Sequence, residues 1–108
     1  MSRHRKNRQH VVTSKCYDKR GRLISSATNS YTKSHPRQAQ LAAKFGMPGR
    51  IFLHSELYAI LKARGRKIHK IVVSRYDSLG NPKNACPCAG CMEAIRVAKI
   101  NKIEYTLG

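Results

Sequence analysis

The chain has 108 residues, of which 41% are apolar, so it is long enough for one domain with a modest core and too apolar to stay disordered. It holds neither the ~20 consecutive apolar residues of a membrane span nor the apolar segment of a secretory signal, so we expect a soluble, cytoplasmic protein with no membrane partner. Lysine and arginine number 22 against 5 acidic residues, and the net charge of +17 predicts a polyanionic partner.

The first predicted element is a β-hairpin, which follows a basic tail of residues 1–10. Its two β-prone segments are Val11–Tyr17 and Arg22–Thr28. Residues 18–21 between them end in a glycine that can adopt a positive φ, as a tight turn requires. We therefore expect residues 11–108 to form one domain that opens with two antiparallel strands.

Two helices are predicted next. The first begins at Pro36, a residue well suited to the first position of a helix, and ends at Phe45, just before a glycine. The second begins at Ser55 and ends near Gly65, with apolar residues at helical spacing at positions 57, 60 and 61. Each helix therefore has an apolar face to pack against the rest of the domain.

A strand, a helix and a final strand close the domain. The β-branched run Ile71–Val73 is typical of a strand buried on both faces of a parallel sheet. A third helix is predicted to begin near Cys88, and residues 102–107 then alternate between polar and apolar, as in an edge strand. The order β-β-α-α-β-α-β predicts an α/β fold whose mixed sheet combines an N-terminal antiparallel hairpin with parallel C-terminal strands.

Three residues have the chemistry and spacing of zinc ligands. Cys88 and Cys91 are three positions apart, so at the start of a helix both sulfur atoms point the same way and can share one ion. The helix N-terminus also favours the thiolate form that a metal requires. His54 supplies a third ligand if it lies at or before the first turn of its helix. Three protein ligands leave the fourth tetrahedral position to water, which is the arrangement of catalytic zinc sites.

Glu56 is predicted to move protons at this site. Zinc lowers the pKa of water toward ~7, which makes hydroxide available at neutral pH. A carboxylate beside that water can take its proton and return it to a ring nitrogen and to a leaving amine. Glu56 is the acid that lies near the ligands in the sequence, two residues after His54.

The pattern H-x-E followed by P-C-x-x-C resembles the cytidine/deoxycytidylate deaminase superfamily of zinc enzymes. The resemblance extends from about the hairpin to the end of the chain. It implies a three-layer α/β sandwich in which the His helix and the Cys helix meet at one zinc ion beside a central sheet. It also implies hydrolysis of a C–N bond in a cyclic amidine, with water attacking C4 of cytosine or C6 of adenine and ammonia leaving. Asn29 occupies the place of a substrate-binding residue in these enzymes.

The chain departs from this family in three places. Ser55 stands where alanine is commoner, a change that we expect to be harmless. The sequence ends at Gly108, one strand after the Cys helix, whereas members of the family usually continue with another helix and strand, so we expect a minimal version of the fold. The helix from Pro36 to Phe45 precedes the His motif as an addition. These differences affect the identity of the substrate more than the chemistry.

A structural zinc site is the alternative reading of the same residues. Cys86, Cys88, Cys91 and His54 would close a four-ligand site that has no open position. We expect Cys86 to face away, because it precedes Pro87 in an extended segment. A structural site would also leave Glu56 without a role. Cys16, in the hairpin, is expected to be a small core residue.

The charge predicts a phosphorylated substrate, and +17 favours single-stranded nucleic acid over a single nucleotide. We expect Arg64, Arg66 and Lys67 to contact phosphates, and Tyr31 to stack on a base. The rival substrate is a free pyrimidine nucleotide, in which case the charge would serve a homo-oligomer interface or be incidental. A rival of another class is a non-catalytic zinc module that binds nucleic acid.

Overall fold

A computed structural model of the protein describes residues 11–30, 34–44, 46 and 54–107. The strands within these ranges are β1 (Val11–Tyr17), β2 (Leu23–Thr28), β3 (Lys70–Tyr76) and β4 (Lys102–Tyr105). The helices are α1 (Pro36–Lys44), α2 (Ser55–Lys62) and α3 (Ala89–Val97). The basic tail, Tyr31, Phe45 and the three apolar residues 51–53 before His54 lie outside the described residues.

The strands form one mixed sheet in the order β2-β1-β3-β4. β1 is antiparallel to both β2 and β3, whereas β3 and β4 are parallel. The hairpin turn is held by Asp18, whose backbone carbonyl accepts the Gly21 N–H at 3.0 Å, and Gly21 adopts the positive φ of 82° that the turn requires. The predicted α/β class, the antiparallel hairpin and the parallel C-terminal strands are confirmed.

The core lies between one face of this sheet and helices α2 and α3. Ser14 and Cys16 of β1 point to this face and are buried. In the register of the two strands, Ser14 lies opposite Val73 of β3 and Cys16 lies opposite Ile71. Ala59 of α2 and Ile95 of α3 pack against these strand residues in one hydrophobic cluster. Cys16 belongs to this cluster, which confirms that it is a core residue. Ile71 and Val73 are buried on this face, whereas Val72, which points to the other face, is only half-buried. The prediction that β3 is buried on both faces was therefore wrong.

Helix α1 packs on α2 and α3 through a small cluster of Leu41, Leu57 and Ala94. Gly90 lies at this contact, where a Cβ would meet the Cβ of Leu41 at 3.4 Å, an ordinary van der Waals distance. The described helices thus gather on one side of the sheet. The opposite face, with Thr13 and Lys15 partly or fully exposed, carries no helix among the described residues, so the further layer of a three-layer sandwich is not seen there. None of the described helices is long and apolar enough to cross a membrane.

Helix α3 ends in a Schellman motif. The Ile100 N–H donates to the Ile95 carbonyl at 3.3 Å and the Lys99 N–H to the Arg96 carbonyl at 3.0 Å. Lys99 adopts a left-handed conformation with φ of 58°. Ile95 is a core residue and Ile100 packs against the same core, which is the apolar contact that usually accompanies this motif. The motif directs the chain from α3 into β4.

Candidate metal centre

Helices α2 and α3 each begin at a predicted metal ligand. His54 is the N-cap of α2 and Cys88 is the N-cap of α3, and both have extended backbone conformations. Their carbonyls accept the first helical hydrogen bonds, from Tyr58 at 3.0 Å and from Met92 at 2.8 Å. Neither side chain caps its own helix. Both side chains are therefore available to point at a shared ligand, as the sequence predicts for a histidine before the first turn.

The structure brings the three predicted ligands together. The Nδ1 atom of His54 lies 3.3 Å from Sγ of Cys91 and 3.6 Å from Sγ of Cys88. All three ligand atoms lie within 4.8 Å of one another. Cys91 is buried, whereas His54 and Cys88 are half-buried, so one side of the cluster is closer to solvent.

These distances fit a small tetrahedral ion. With Zn–N near 2.05 Å and Zn–S near 2.3 Å, two ligand atoms on one tetrahedral zinc are about 3.6 Å apart. The two observed nitrogen–sulfur distances, 3.3 and 3.6 Å, are close to this value. One imidazole nitrogen and two sulfurs are also donors that soft or borderline metals prefer. The residues therefore fit a transition-metal ion bound by three protein ligands.

Cys88 and Cys91 shift each other's pKa in opposite directions. The hydrogen bond from Cys91 lowers the pKa of Cys88 to about 3, and His54 adds to the effect. The same hydrogen bond, together with burial, raises the pKa of Cys91 above its ordinary value. These opposite shifts favour the thiolate form at Cys88, and a bound cation would favour thiolates at both positions.

Cys86 does not belong to this cluster. It is exposed, its backbone N–H donates to the Asn84 side chain at 2.8 Å, and its thiol raises the pKa of the neighbouring Tyr105. Among the described residues, the group that could hold a metal contains His54, Cys88 and Cys91. Cys86 thus faces away from the ligands, as its position before a proline predicts.

Glu56 lies beside the ligands in a buried position. The residue is 6% exposed, and burial raises the pKa of its carboxyl above the usual range. Ser55 Oγ donates to Glu56 Oε1 at 3.1 Å. Because the hydrogen of Ser55 is committed to Glu56, the Ser14 hydroxyl, 2.8 Å away, acts as the donor to Ser55. Both serines are fully buried, so this chain of hydroxyls fixes the carboxylate from within the core.

Sequence reasoning missed two residues that support the site. Gln38 of α1 is 2% exposed, and its side-chain oxygen accepts the backbone N–H of His54 at 3.2 Å. Ser14 of β1 supports Glu56 through Ser55. Both contacts join residues far apart in the chain, and neither residue stands in a local motif. An uncharged polar residue among the apolar positions of a helix or strand is the one sequence signal that could have pointed to them.

The predicted substrate contacts are distributed differently. Asn29 lies near the end of the sheet where α2 begins: its side-chain oxygen accepts the Val12 N–H at 2.9 Å, and Ser14, two residues along β1, reaches Ser55. Arg64, Arg66 and Lys67 follow the other end of α2, so the helix alone, at ~1.5 Å per residue, separates them from the ligands by ~12 Å. The structure does not bring these three cations to the metal centre.

Comparisons of the chain with protein-family models and with curated proteins give no match. The geometry by itself establishes a His/Cys/Cys group that could bind a metal ion, located where two helices begin and next to a buried carboxyl group.

Proposed function

We propose that the protein is a zinc-dependent hydrolytic deaminase of the cytidine/deoxycytidylate type, which converts cytosine to uracil in a phosphorylated substrate. The observation that carries the proposal is the combination of three metal ligands with one buried carboxyl group. His54 and Cys88 begin separate helices, Cys91 lies one turn further, and Glu56 lies in the first turn of the His helix. A purely structural metal site has no use for that carboxyl group.

Zinc is the metal that suits this ligand set. Cysteine sulfur and histidine nitrogen are its usual protein ligands, and three of them mark catalytic rather than structural sites. When bound, zinc would act as a Lewis acid that makes water a nucleophile at neutral pH. Cys86, the residue that a closed four-ligand site would need, is exposed and turned toward Tyr105.

Glu56 performs the proton transfers in this proposal. It accepts a proton from the attacking water and returns it to the ring nitrogen, and it then assists the departure of ammonia. Burial favours the protonated form of the carboxyl group, which helps Glu56 to act as an acid as well as a base. Ser55 holds one carboxylate oxygen and so restricts its orientation.

The substrate is proposed to be single-stranded nucleic acid. The net charge of +17 exceeds what the phosphate of one nucleotide calls for. Arg64, Arg66 and Lys67 are exposed beyond the C-terminal end of α2, where a strand extending from the metal centre could reach them. A base must leave its stack to reach the metal, so a duplex would be a poor substrate.

Metal content and base conversion, measured on the same protein, test this proposal. We expect about one zinc per chain, and conversion of cytosine to uracil when the protein is incubated with single-stranded DNA, single-stranded RNA or dCMP. Glu56→Gln should keep the zinc and lose 10²- to 10⁴-fold in turnover, because only the proton transfers are removed. Residual activity within tenfold of the wild type would show that another group moves the protons. Zinc without conversion of any of the three substrates would identify a non-catalytic zinc module.

A further inference from the structure

A groove of about 340 Å³ lies at the turn between β1 and β2, far from the metal centre. We call it the hairpin groove. The turn contributes one side, and the segments before β3 and β4 contribute the other. Its lining residues are Asp18, Lys19, Arg20, Arg22, Lys67, His69 and Asn101.

The hairpin groove carries a strong excess of positive charge. Four lysine and arginine residues face one carboxylate, that of Asp18. Asp18 pairs with Arg22 at 3.0 Å, and no carboxylate ion pair is formed by Lys19, Arg20 or Lys67 among the described residues. These three side chains are exposed, so an anionic ligand can reach them.

The turn that carries Lys19 and Arg20 is held by hydrogen bonds of its own. One carboxylate oxygen of Asp18 accepts the backbone N–H groups of Arg20 and Arg22, each at 2.9 Å, and the other accepts the Arg22 Nε. These bonds hold the backbone of the turn in one conformation. Binding at the groove therefore requires little ordering of the main chain, which lowers the entropic cost.

The other side of the groove offers a neutral donor. The Asn101 side-chain amide lies 3.3 Å from Nδ1 of His69. With the amide donating, Nδ1 is an acceptor and the ring proton is on Nε2, which can donate to a phosphate oxygen. The His69 backbone is fixed as well, because its N–H donates to the Tyr17 carbonyl at 2.8 Å. Fixed N–H donors mixed with cations are the contacts that phosphate groups receive in protein–nucleic acid complexes.

The location of the groove sets the length of the ligand. The groove lies where β1 ends at Tyr17, on the side of the domain that the chain reaches after the C-terminal end of α2. The metal centre lies at the N-terminal end of α2. The length of this helix alone separates the two sites by ~12 Å. A stacked strand rises ~3.4 Å per nucleotide, so this distance corresponds to about four nucleotides. The phosphate of a nucleotide whose base is at the metal centre therefore cannot occupy the groove.

We propose that the hairpin groove binds the phosphate backbone of single-stranded nucleic acid, about four or more nucleotides away from the reacting base. The assignment of this strand as the substrate rests on the proposed deaminase function, whereas the binding itself does not. The groove uses Lys19, Arg20 and His69, which the sequence pattern does not single out, together with Lys67, which the sequence predicts to contact a phosphate.

Fluorescence anisotropy with a labelled oligothymidylate of 12 nucleotides tests the binding without any reaction. Arg20→Glu should weaken binding at least fivefold and lower the slope of log K against log salt by about 0.7, the value for one lost phosphate contact. Lys15→Glu is the matched control, since Lys15 is exposed on the open face of the sheet and does not line the groove. Equal effects of the two substitutions on affinity and slope would overturn the proposal.

Two further measurements separate the partner class and the two proposals. A polyglutamate peptide of the same charge should bind more weakly than the oligonucleotide, and equal affinity would overturn the assignment to nucleic acid. If the protein deaminates, Arg20→Glu should raise KM for a 12-nucleotide strand at least fivefold and leave turnover of dCMP unchanged. If Arg20→Glu weakens oligonucleotide binding but the protein has no activity, the deaminase proposal is refuted and the groove proposal is supported. If the protein is active but Arg20→Glu changes neither oligonucleotide binding nor KM, the groove proposal is refuted and the deaminase proposal is supported.

Discussion

The Ser55 hydroxyl group, which is fully buried, donates to Oε1 of Glu56 at 3.1 Å and so restricts the orientation of that carboxyl group. If the protein is the proposed deaminase, Ser55→Ala should lower kcat about tenfold with little change in KM, because a hydrogen bond to a charged group is worth ~1.5–3 kcal/mol and only part of that energy orients the carboxylate. Steady-state kinetics on dCMP or on an oligonucleotide measures the effect, and zinc content should not change.

Ser14→Ala is the matched control for this prediction. It removes the outer hydroxyl but leaves the bond from Ser55 to Glu56 in place. Its effect on kcat should therefore be smaller than that of Ser55→Ala. Equal kcat values for Ser55→Ala and the wild type would show that the expectation of a harmless serine, made from the sequence, is right after all.

The three cysteines near α3 differ in their predicted contribution to metal binding. Cys88→Ser should lose the metal and lower the melting temperature of the protein, since it removes one of three ligands. Cys86→Ser should retain about one zinc per chain, because the Cys86 thiol faces Tyr105. Metal analysis of the purified variants distinguishes the two. If Cys86→Ser loses zinc as completely as Cys88→Ser does, the four-ligand structural site is correct and the deaminase proposal fails.

At the scale of a single element, the end of α3 carries backbone strain. Lys99 adopts a φ of 58° at the position of the Schellman motif that usually holds glycine. The left-handed conformation costs about 1–2 kcal/mol in a residue with a side chain, and glycine loses ~0.5–1 kcal/mol through its greater freedom in the unfolded chain. Lys99→Gly should therefore raise the free energy of unfolding by up to about 1 kcal/mol, as measured by urea denaturation.

Lys99→Ala separates backbone strain from the loss of the lysine side chain. Alanine removes the same charge and methylene groups but still has a Cβ, so the strain persists. Its free energy of unfolding should not exceed that of the wild type. A stabilisation as large as that of Lys99→Gly would attribute the effect to the side chain.

The elements with local signals could be predicted from the sequence, and those that depend on distant contacts could not. Pro36 marks the start of α1, and Cys88 marks the start of α3, because caps and first-turn residues are local features. The burial of β3 on a single face depends on which elements cover the sheet, and a β-branched run does not contain that information. The same holds for Gln38, whose contact with His54 crosses between two helices.

The predicted metal centre illustrates the same division. The ligands and Glu56 stand in a motif whose spacing fixes their geometry on two helix N-termini, so they could be found. Arg64 and Arg66 are close to the motif in sequence but distant from it in space. They follow the C-terminal end of α2, whereas His54 lies at its N-terminal end, so the whole length of the helix separates them. Lys19 and Arg20 of the β1–β2 turn lie in the same groove as Lys67 because β1 pairs with β3, and Lys67 shortly precedes β3.

Considered as a whole, the molecule has very few acids to offset its positive charge. Of the five acidic residues, Glu56 is buried beside the metal ligands and the other four already pair with a lysine or an arginine. The remaining cations repel one another, and salt screens this repulsion. The melting temperature should therefore rise when NaCl is increased from 10 mM to 300 mM. A fall in the melting temperature would mean that the surface ion pairs outweigh the repulsion.

The central position of β1 has a consequence for the order of folding. β1 pairs with β2, its neighbour in the chain, and also with β3, which follows two helices later. A hairpin forms in microseconds, whereas pairing across a long loop costs more closure entropy and is slower. Because His54 precedes β3 and Cys88 follows it, we expect the two residues to meet only once β3 has joined the sheet. If the protein binds a metal, we expect capture by all three ligands to be a late folding event, because a nascent chain that carries β1, β2 and α2 holds the histidine without Cys88 or Cys91.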